Sequence, residues 1–417
     1  MKRKFNQVFI IILSLIFAAM NFPKITMAED NTASKLLTAQ VAKVIFGSSV
    51  KVSLTSGGKS AYSTAVSYKI FSNGSPLSDF QTLGDKTTVF PPKNIGDAVE
   101  VKLYDNSLKE LTTITNVKLS ELILGNTIRT SGNDRYGTST AISKYGWTST
   151  SEYAVLATGE NYPDALSAAP LAKKYNAPIL LTDSAKLNDL TKSELTRLKV
   201  KKVFIIGGTG AVSAAVENAI KTIGIAITRL SGNDRYETAI KVAGIVGINS
   251  NGIFVTTGYD FPDALSIASI AASKGMPIIL EDKNDSSNIV SNYIKTNNIA
   301  KSYIMVDTNL MNDNIVNKFP NAQKITGSDG YARNSAVIKL FAKDLDFSNL
   351  CISTGKNYPD ALAGSALAAK LNAPIYLING SNVTDAKNAS TSNLTENIII
   401  FGGTSVITPE AEQALRN

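Results

Sequence analysis

The sequence contains no histidine, one cysteine and one tryptophan among its 417 residues. Without histidine, acid–base catalysis near neutral pH would have to rely on carboxylates, lysine, tyrosine or serine. A single cysteine excludes a disulfide within the chain and leaves a zinc site almost no ligands. We therefore expect no metal site and no cofactor.

A long apolar run occurs only at the start of the chain, where MKRK precedes VFIIILSLIFAAM. A basic start, a short apolar core and a small residue at the break are typical of a secretory signal peptide, which we assign to residues 1–28 with cleavage near Ala28. The run is too short to span a bilayer comfortably, so we expect no membrane partner after cleavage. Removal of the leader lowers the net charge from +8 to +4, because it carries four basic and no acidic residues. So mild an excess is no argument for nucleic-acid binding.

Two phrases recur in three copies from about residue 123 onward. SGNDRY begins at Ser131 and at Ser231, and a weaker copy, GSDGYAR, begins at Gly327. About 30 residues after each copy comes NYPDAL, FPDAL or NYPDAL. A repeat of roughly 97 residues indicates an array of similar units, each large enough to contain a core.

Each unit alternates short apolar runs such as YAVLAT and KVFIIGG with segments of helical periodicity such as PDALSAAPLAKKY. This alternation predicts an α/β fold with a mostly parallel sheet covered by helices. Residues 29–122 instead alternate apolar and polar residues between turns, which predicts a small, mainly-β N-terminal domain. The predicted organisation is a signal peptide at 1–28, the β-domain at 29–122, and repeats at 123–226, 227–322 and 323–417.

The recurring phrases each follow a predicted strand and enter a predicted helix, so they share the edge where α/β proteins bind ligands. Asp134, Asp234 and Asp329 occupy helix N-cap positions, and Asp234 with Glu237 forms a capping box. Arg135 and Arg235 either contact an anionic ligand or form structural ion pairs, because a cation is unfavourable in the first helical turn.

In the phrase NYPDAL, the proline and the aspartate fit the start of a helix. The start of a helix does not require the aromatic residue that precedes the proline. That aromatic, at Tyr162, Phe261 or Tyr358, either faces a sugar ring or packs as a hydrophobic staple. The glycines of IIGGTGAVS are a weak nucleotide-binding signal, since the full G-x-G-x-x-G spacing is missing. Cys351 occupies a strand position and is predicted to lie in the core.

With these residues in view, the sequence resembles the clostridial cell-wall-binding repeat of the second type, found in S-layer-associated surface proteins. RLSGNDRYETA, NYPDALSA, APILL and IIGGTGAVS carry the resemblance, which covers about residues 123–417. It implies three tandem Rossmann-like repeats in a pseudo-threefold arrangement that bind an anionic wall polysaccharide non-covalently. It also implies that arginines and the Pro-Ile-Leu-Leu segment take part in binding.

The edge motifs and the resemblance together select the candidate polysaccharide-binding residues. They are Arg129, Arg135, Tyr162, Asp164, Pro178, Ile179, Leu180, Leu181, Arg229, Arg235, Phe261, Asp263, Tyr358 and Asp360. The third repeat departs from the pattern, because Gly330 lies at the position equivalent to Arg135 and Arg235, and Lys324 lies at the position equivalent to Arg129 and Arg229. Arg333, three residues after Gly330, is a candidate replacement.

We therefore expect a secreted, non-enzymatic protein of the cell wall or S-layer that displays its β-domain, with the wall polysaccharide and other S-layer proteins as partners. Two alternatives remain open at this stage. Paired carboxylates would suit a wall hydrolase, although an active site written three times would be unusual. An adhesin would instead bind host glycans through the β-domain.

Overall fold

The computed structural model describes residues 37–41, 48–54, 62–72, 74–76, 79–83, 86–89, 98–118, 126–283, 288–307, 311, 313–393, 395 and 397–416. The expected signal peptide lies outside these residues. The chain divides into two compact units, Met1–Gly125 with Arg416–Asn417, and Asn126–Leu415.

The first unit is built from antiparallel strands, which confirms the predicted β-domain. One sheet has the order β1-β2-β6, and the other has the order β4-β3-β7-β8 with β5 paired to β3. The strands are β1 Leu37–Val41, β2 Ser48–Leu54, β3 Ser67–Ser72, β4 Ser75–Pro76, β5 Gln81–Thr82, β6 Lys86–Val89, β7 Ala98–Tyr104 and β8 Glu110–Lys118. Strand alternation buries one face of the second sheet through Tyr68, Ile70, Val101 and Leu103.

The second unit contains three repeats of alternating strands and helices, as predicted. The first has β9 Asn126–Thr130, α1 Arg135–Gly146, β10 Tyr153–Thr158, a 3-10 helix Pro163–Ser167, α2 Ala168–Lys174, β11 Ile179–Thr182, α3 Asp189–Arg197, β12 Lys202–Ile206 and α4 Ala214–Thr222. The second has β13 Ala226–Leu230, α5 Arg235–Val246, β14 Ile253–Thr257, α6 Pro262–Ser273, β15 Ile278–Glu281, α7 Asn288–Thr296, β16 Ser302–Met305 and α8 Asp313–Val316. The third has β17 Ala322–Ile325, α9 Gly330–Leu340, a 3-10 turn Ala342–Asp344, β18 Asn349–Thr354, α10 Pro359–Lys370, β19 Ile375–Ile378, α11 Thr384–Asn393, β20 Asn397–Phe401 and α12 Pro409–Arg416.

Each repeat builds a four-stranded parallel sheet, and the fourth strand comes from the segment that starts another repeat. The orders are β11-β10-β12-β13, β15-β14-β16-β17 and β19-β18-β20-β9. Thus β13 is the last strand of the first sheet and leads into α5 of the second repeat. In the same way, β17 is the last strand of the second sheet and leads into α9 of the third repeat. The predicted repeat boundaries, after residues 226 and 322, fall at the start of these exchanged strands.

The third sheet is completed by the first strand of the array. β9 pairs in parallel with β20, from Asn126 opposite Asn397 to Thr130 opposite Phe401. The fourth strand of the third sheet therefore comes from the other end of the array. The three repeats close into a ring.

The helices that follow the PDAL phrases meet at the centre of this ring. α2, α6 and α10 pack against one another in all three pairings, which gives the pseudo-threefold arrangement. Leu166, Leu265 and Leu362 from the three copies belong to one apolar core shared by all repeats. Because burying such side chains is the main source of stability, the repeats stabilise one another.

The first copy of the central helix differs from the other two. α6 and α10 begin at their prolines, whereas Pro163–Ser167 is a 3-10 helix that continues as α2. Pro170 explains the difference, because proline cannot donate to the carbonyl four residues earlier and its ring clashes with it. Ser269 and Ala366 occupy the corresponding positions of the other two helices.

Removal of β9 should destabilise the whole ring, not only one end. We expect a chain of residues 131–417 to lose the cooperative urea unfolding transition of residues 126–417, because the edge of β20 and the core beneath it become exposed. A circular permutant tests the cause. It places residues 126–130 after Asn417, joined by the Ile223–Ile225 sequence that links α4 to β13, and it should recover the transition.

Circular dichroism in a urea series measures the midpoint of all three chains. Equal midpoints for residues 131–417 and 126–417 would contradict the closure argument. Recovery in the permutant excludes a general effect of truncation.

Candidate functional site

The SGNDRY turns begin the helices α1 and α5, and the weaker copy begins α9. The side chains of Asp134, Asp234 and Asp329 accept hydrogen bonds from the backbone N–H three residues later, at 2.7, 2.8 and 2.8 Å. This confirms the predicted N-caps. Glu237 also accepts from the backbone N–H of Asn233, so the expected capping box forms with a shift of one residue.

The glycine before each of these helices is required by close packing. A Cβ on Gly132 would lie 2.3 Å from the backbone of Gly137, and Gly232 and Gly327 face the first turns of α5 and α9 in the same way. Any other residue would push the turn away from its helix.

The arginine and tyrosine of SGNDRY contact the glycine of the TG phrase in the same repeat. A Cβ on Gly159 would collide with Tyr136 and Arg135, and one on Gly258 would collide with Tyr236 and Arg235. Arg135 Nη1 donates to the carbonyl of Gly159, and Arg235 Nη1 donates to that of Gly258 at 2.5 Å. The two phrases recur together because each is packed on the other.

The aromatic residues before the PDAL prolines form one cluster at the centre of the ring. The ring centroids of Tyr162 and Phe261 are 5.3 Å apart, those of Tyr162 and Tyr358 are 5.5 Å apart, and those of Phe261 and Tyr358 are 6.0 Å apart. Such distances are typical of favourable aromatic pairs. The cluster gives these aromatics a packing role that neither sequence alternative foresaw.

The two tyrosines of this cluster also reach into a neighbouring repeat. Tyr358 donates to the carbonyl of Gly159 at 2.5 Å, and Arg135 Nη1 lies 3.5 Å from the Tyr358 hydroxyl. Tyr162 donates to the carbonyl of Tyr259 at 3.0 Å. Each contact joins two repeats, so we name three junctions by the repeats they join: third–first, first–second and second–third.

Arg129 and Arg229 hold two of these junctions together. Arg129 donates to the carbonyl of Gly402 at 2.8 Å and to Glu412 at 2.7 Å. Arg229 donates to the carbonyl of Gly207 at 2.8 Å and to Glu217 at 2.8 Å. Both guanidinium groups are mostly buried and paired with a carboxylate, so their charge is neutralised within the protein.

The second–third junction uses a different arginine. Arg333 on α9 donates from Nε to Asp263 at 2.7 Å and from Nη2 to Asp307 at 3.0 Å. Arg333 is 5 % exposed and Asp263 is 2 % exposed. The hypothesis that Arg333 replaces the missing surface arginine is therefore wrong, because its guanidinium is enclosed by the two carboxylates.

The recurring aspartates do not share one environment. Asp164 and Asp360 lie over the first glycine of the GG loops, since a Cβ on Gly207 or Gly402 would come within 2.8 or 2.6 Å of their Oδ2 atoms. Both glycines also have positive φ, 103° and 113°. Burial raises the pKa of Asp360 from 3.8 to about 6, although Arg135 and Thr138 favour its charged form.

The Pro178–Leu181 segment lies in the interior. Ile179, Leu180 and Leu181 are at most 1 % exposed and form most of β11. α1 and α10 pack against this strand. The segment has no exposed side chain through which it could contact a polymer, so its influence on binding would have to act through folding.

Cys351 is fully buried in β18, and burial raises the pKa of its thiol, as a core position requires. No three potential metal-ligating side chains in the described part of the chain lie close enough together to hold an ion. None of the described helices combines the length and apolar character needed to cross a bilayer.

Arg135 and Arg235 are the candidate arginines whose positive charge is not neutralised by an ion pair among the described residues. Both are partly buried, and within the described ranges no carboxylate lies within 4.0 Å of either. Only Nη1 of each is engaged by a described residue, which leaves Nε and Nη2 without a protein acceptor there. They lie at the two junctions that contain a tyrosine hydroxyl.

Sequence reasoning missed Glu217, Glu412 and the Arg333 cluster. A comparison of the three copies contained the signal, because Glu217 and Glu412 each follow the first glycine of a GG loop by ten residues. In the second repeat, Val306 replaces this glycine, Val316 replaces the glutamate and Lys324 replaces the arginine that pairs with it. Three positions that change together indicate a shared contact.

Comparison with known proteins supports the resemblance. The family model for cell wall binding domain 2 (CWB2) matches residues 129–217, 229–316 and 324–412. N-acetylmuramoyl-L-alanine amidase LytC of Bacillus subtilis is 36 % identical over 290 residues, and the amidase enhancer of the same organism is 32 % identical over 294 residues. Each alignment covers 69 % of this chain, but only 58 % and 40 % of those relatives.

Two solved structures share the fold. Cwp6 from Clostridium difficile superposes with a TM-score of 0.63 at 22 % identity, over 91 % of this chain and 68 % of that one. Cwp8 from the same organism gives a TM-score of 0.59 at 19 % identity, over 95 % of this chain and 82 % of that one.

Asp263→Asn should destabilise the protein far more than Asp164→Asn, although the two aspartates are equivalent in sequence. Asp263→Asn removes a buried charge-assisted hydrogen bond, which should cost about 1.5 to 3 kcal/mol, while Arg333 keeps its ion pair with Asp307. Asp164 has no ion-pair partner among the described residues, so its loss should cost less than about 1 kcal/mol. Urea unfolding of both variants measures the difference, and equal losses would contradict a special role for the Arg333 cluster.

Asp360→Asn should raise thermal stability at pH 7 and change it little at pH 4. The folded state binds the Asp360 proton more tightly than the unfolded state, because the pKa is raised to about 6. The favourable contribution is therefore present below about pH 4 and is lost as the pH rises to 6. At 1.36 kcal/mol per unit the gain is at most about 3 kcal/mol.

Calorimetric melting between pH 4 and 8 checks this expectation, with Asp164→Asn as the control for loss of a carboxylate at the same helical position. A constant difference between Asp360→Asn and wild type across the range would contradict it.

Proposed function

Because this chain belongs to the cell wall binding domain 2 family, we propose that its repeats hold it non-covalently to the bacterial wall by binding an anionic wall polysaccharide. Association with the cell wall follows from family membership. The anionic character of the ligand, the contact residues and the export of the chain are the added proposals.

One observation carries the choice of an anion. Arg129, Arg229 and Arg333 are each neutralised by a carboxylate, whereas Arg135 and Arg235 have no carboxylate within 4.0 Å among the described residues. A guanidinium is always charged, and its planar N–H groups suit phosphate and carboxylate oxygens. Asp360 interacts with Arg135 electrostatically but forms no ion pair with it, so both guanidinium groups keep N–H donors that an anionic ligand can accept from.

The rest of the chain supports a local interaction more than a general electrostatic one. The net charge is +8 for the full chain and +4 without the expected leader, so a strong overall positive field is missing. The two arginines follow equivalent strands, β9 and β13, and begin equivalent helices. A repetitive polymer that reaches both gains effective concentration from the second contact.

A non-catalytic role is proposed for the repeats. Asp263 forms a buried ion pair with Arg333. Asp164, Asp263 and Asp360 lie at three different junctions, so they do not form the pair of neighbouring carboxylates that a glycoside hydrolase uses. The amidase activity named for one relative is a property of that protein, which is longer than this chain. The family model for cell wall binding domain 2 matches all three repeats.

We also propose that residues 1–28 direct export and that residues 29–122 form the part displayed at the surface. The basic start and apolar run support the first, and the separate compact unit before residue 126 supports the second. Other S-layer proteins are proposed neighbours in this layer.

Replacement of Arg135 and Arg235 should weaken wall binding without unfolding the protein. We expect Arg135→Gln and Arg235→Gln each to lower the affinity for purified walls about tenfold, as loss of one charge-assisted contact predicts. The double variant should lose most binding at 0.1 M salt. Wild-type binding should itself weaken between 0.1 and 1 M salt, as the Debye length falls from about 10 to 3 Å.

The matched control is Lys144→Gln with Lys201→Gln, which removes the same charge from two exposed side chains. Lys144 lies in the last turn of α1 and Lys201 directly precedes β12, so both are away from the edge where the arginines lie. Pull-down with purified walls measures binding, and thermal melting checks the fold. Full binding by a folded Arg135/Arg235 double variant would refute the proposed site. Release of reducing sugar or amine from walls would favour the hydrolase, and host-glycan binding by the chain would favour the adhesin.

A further inference from the structure

The three junctions of the ring are not equivalent, although the fold that makes them is. At the third–first junction, Arg135 and the Tyr358 hydroxyl both point at the carbonyl of Gly159. At the first–second junction, Arg235 engages Gly258 and the Tyr162 hydroxyl engages the next residue. Each of these groupings draws its arginine from one repeat and its tyrosine from the repeat before it in the ring.

At the second–third junction the corresponding positions hold Gly330 and Phe261. The glycine has no guanidinium and the phenylalanine has no hydroxyl. Space is short as well, because a Cβ on Gly330 would lie 3.1 Å from the Cβ of Pro262. Both components of the open arginine site are therefore lost at one place.

Three further replacements at this junction substitute an internal contact. Arg333 takes the position of Thr138 and Thr238, Asp307 that of Gly208 and Gly403, and Val306 that of Gly207 and Gly402. A Cβ on Gly208 would meet nothing within 4 Å, which is the space that the Asp307 side chain occupies in its own repeat. The result is the buried bridge Asp263–Arg333–Asp307, which joins α6, α9 and the loop after β16.

We propose that this chain has two anion sites, shared between repeats at the third–first and first–second junctions, and that the second–third junction is a closed structural contact. This rests on the proposed function and adds the number of sites and their composition. Each site consists of an arginine from one repeat and the aromatic corner of the preceding repeat. The third repeat therefore contributes no arginine of its own. It supports the third–first site through the buried Tyr358, whose hydroxyl donates to the same Gly159 carbonyl that Arg135 engages.

Lys356 is the rival cation at the closed junction. It follows Gly355 directly and is exposed. A lysine is a mobile point charge without the planar donors of a guanidinium, and here it has no neighbouring tyrosine hydroxyl in the equivalent position. We therefore expect Lys356→Gln to leave the number of sites unchanged.

The number of bound ligands tests the inference directly. The probe is a labelled single repeating unit of the anionic polysaccharide released from purified walls, too short to bridge two junctions. Equilibrium dialysis with the full chain should give two units bound per wild-type molecule. It should give one for Arg135→Gln, one for Arg235→Gln, none for the double variant and two for Lys356→Gln.

A grafted variant should gain a site. Phe261→Tyr, Gly330→Arg, Arg333→Thr, Asp307→Gly and Val306→Gly together copy the arginine–tyrosine grouping of the first–second junction, and the folded variant should bind three units. One or three units bound by wild type, a loss with Lys356→Gln, or two units bound by the folded graft would overturn the inference. If the graft does not fold, the counts for the native and single-residue variants decide.

The outcomes separate the two proposals. Walls and probe that are bound equally by wild type and the Arg135/Arg235 double variant would refute the proposed function itself. Arginine-dependent binding with a number other than two would leave that function intact and refute only the division into two open junctions and one closed one.

Discussion

The exchange of one strand between neighbouring repeats is the constraint on which the remaining structure depends. Each sheet takes its fourth strand from the segment that leads into another repeat, and β9 closes the third sheet on β20. A repeat cut from the ring would lack a strand and would expose the face of its central helix. Closure also places the start of every SGNDRY helix beside the preceding repeat, so chemistry at this edge belongs to junctions and not to single repeats.

The closure explains why the recurring residues serve packing first. The glycines of SGNDRY and TG are fixed by contacts shorter than any side chain would allow, and the aspartates cap helices. Tyr162, Phe261 and Tyr358 fill the centre of the ring. A motif written three times is thus explained largely by a threefold architecture, and binding is left to the few groups that packing does not neutralise.

Those groups are distinguished by what surrounds them. Arg129 and Arg229 are the second-last residues of β9 and β13. Arg129 forms an ion pair with Glu412 on α12, and Arg229 forms one with Glu217 on α4. Arg135 and Arg235 stand six residues later and find only carbonyl and hydroxyl oxygens among the described residues. The same residue type within one motif therefore serves as a clamp at one position and as a candidate anion site at the other.

The sequence alone determined the repeat, the parallel α/β units, the helix caps and the core position of Cys351, because each depends on local pattern: strand runs, helical spacing and turn residues. It also indicated the family through four phrases that agree with one another. The burial of Ile179–Leu181 also agrees with the apolar run PILLT, which is typical of a strand covered on both faces. The division of the arginines and the bridge from Arg333 to Asp263 could not be obtained in this way. Each involves partners from 12 to 283 residues apart. Only the closed ring brings those partners together, since burial and charge pairing are properties of the packed assembly and not of any stretch of chain.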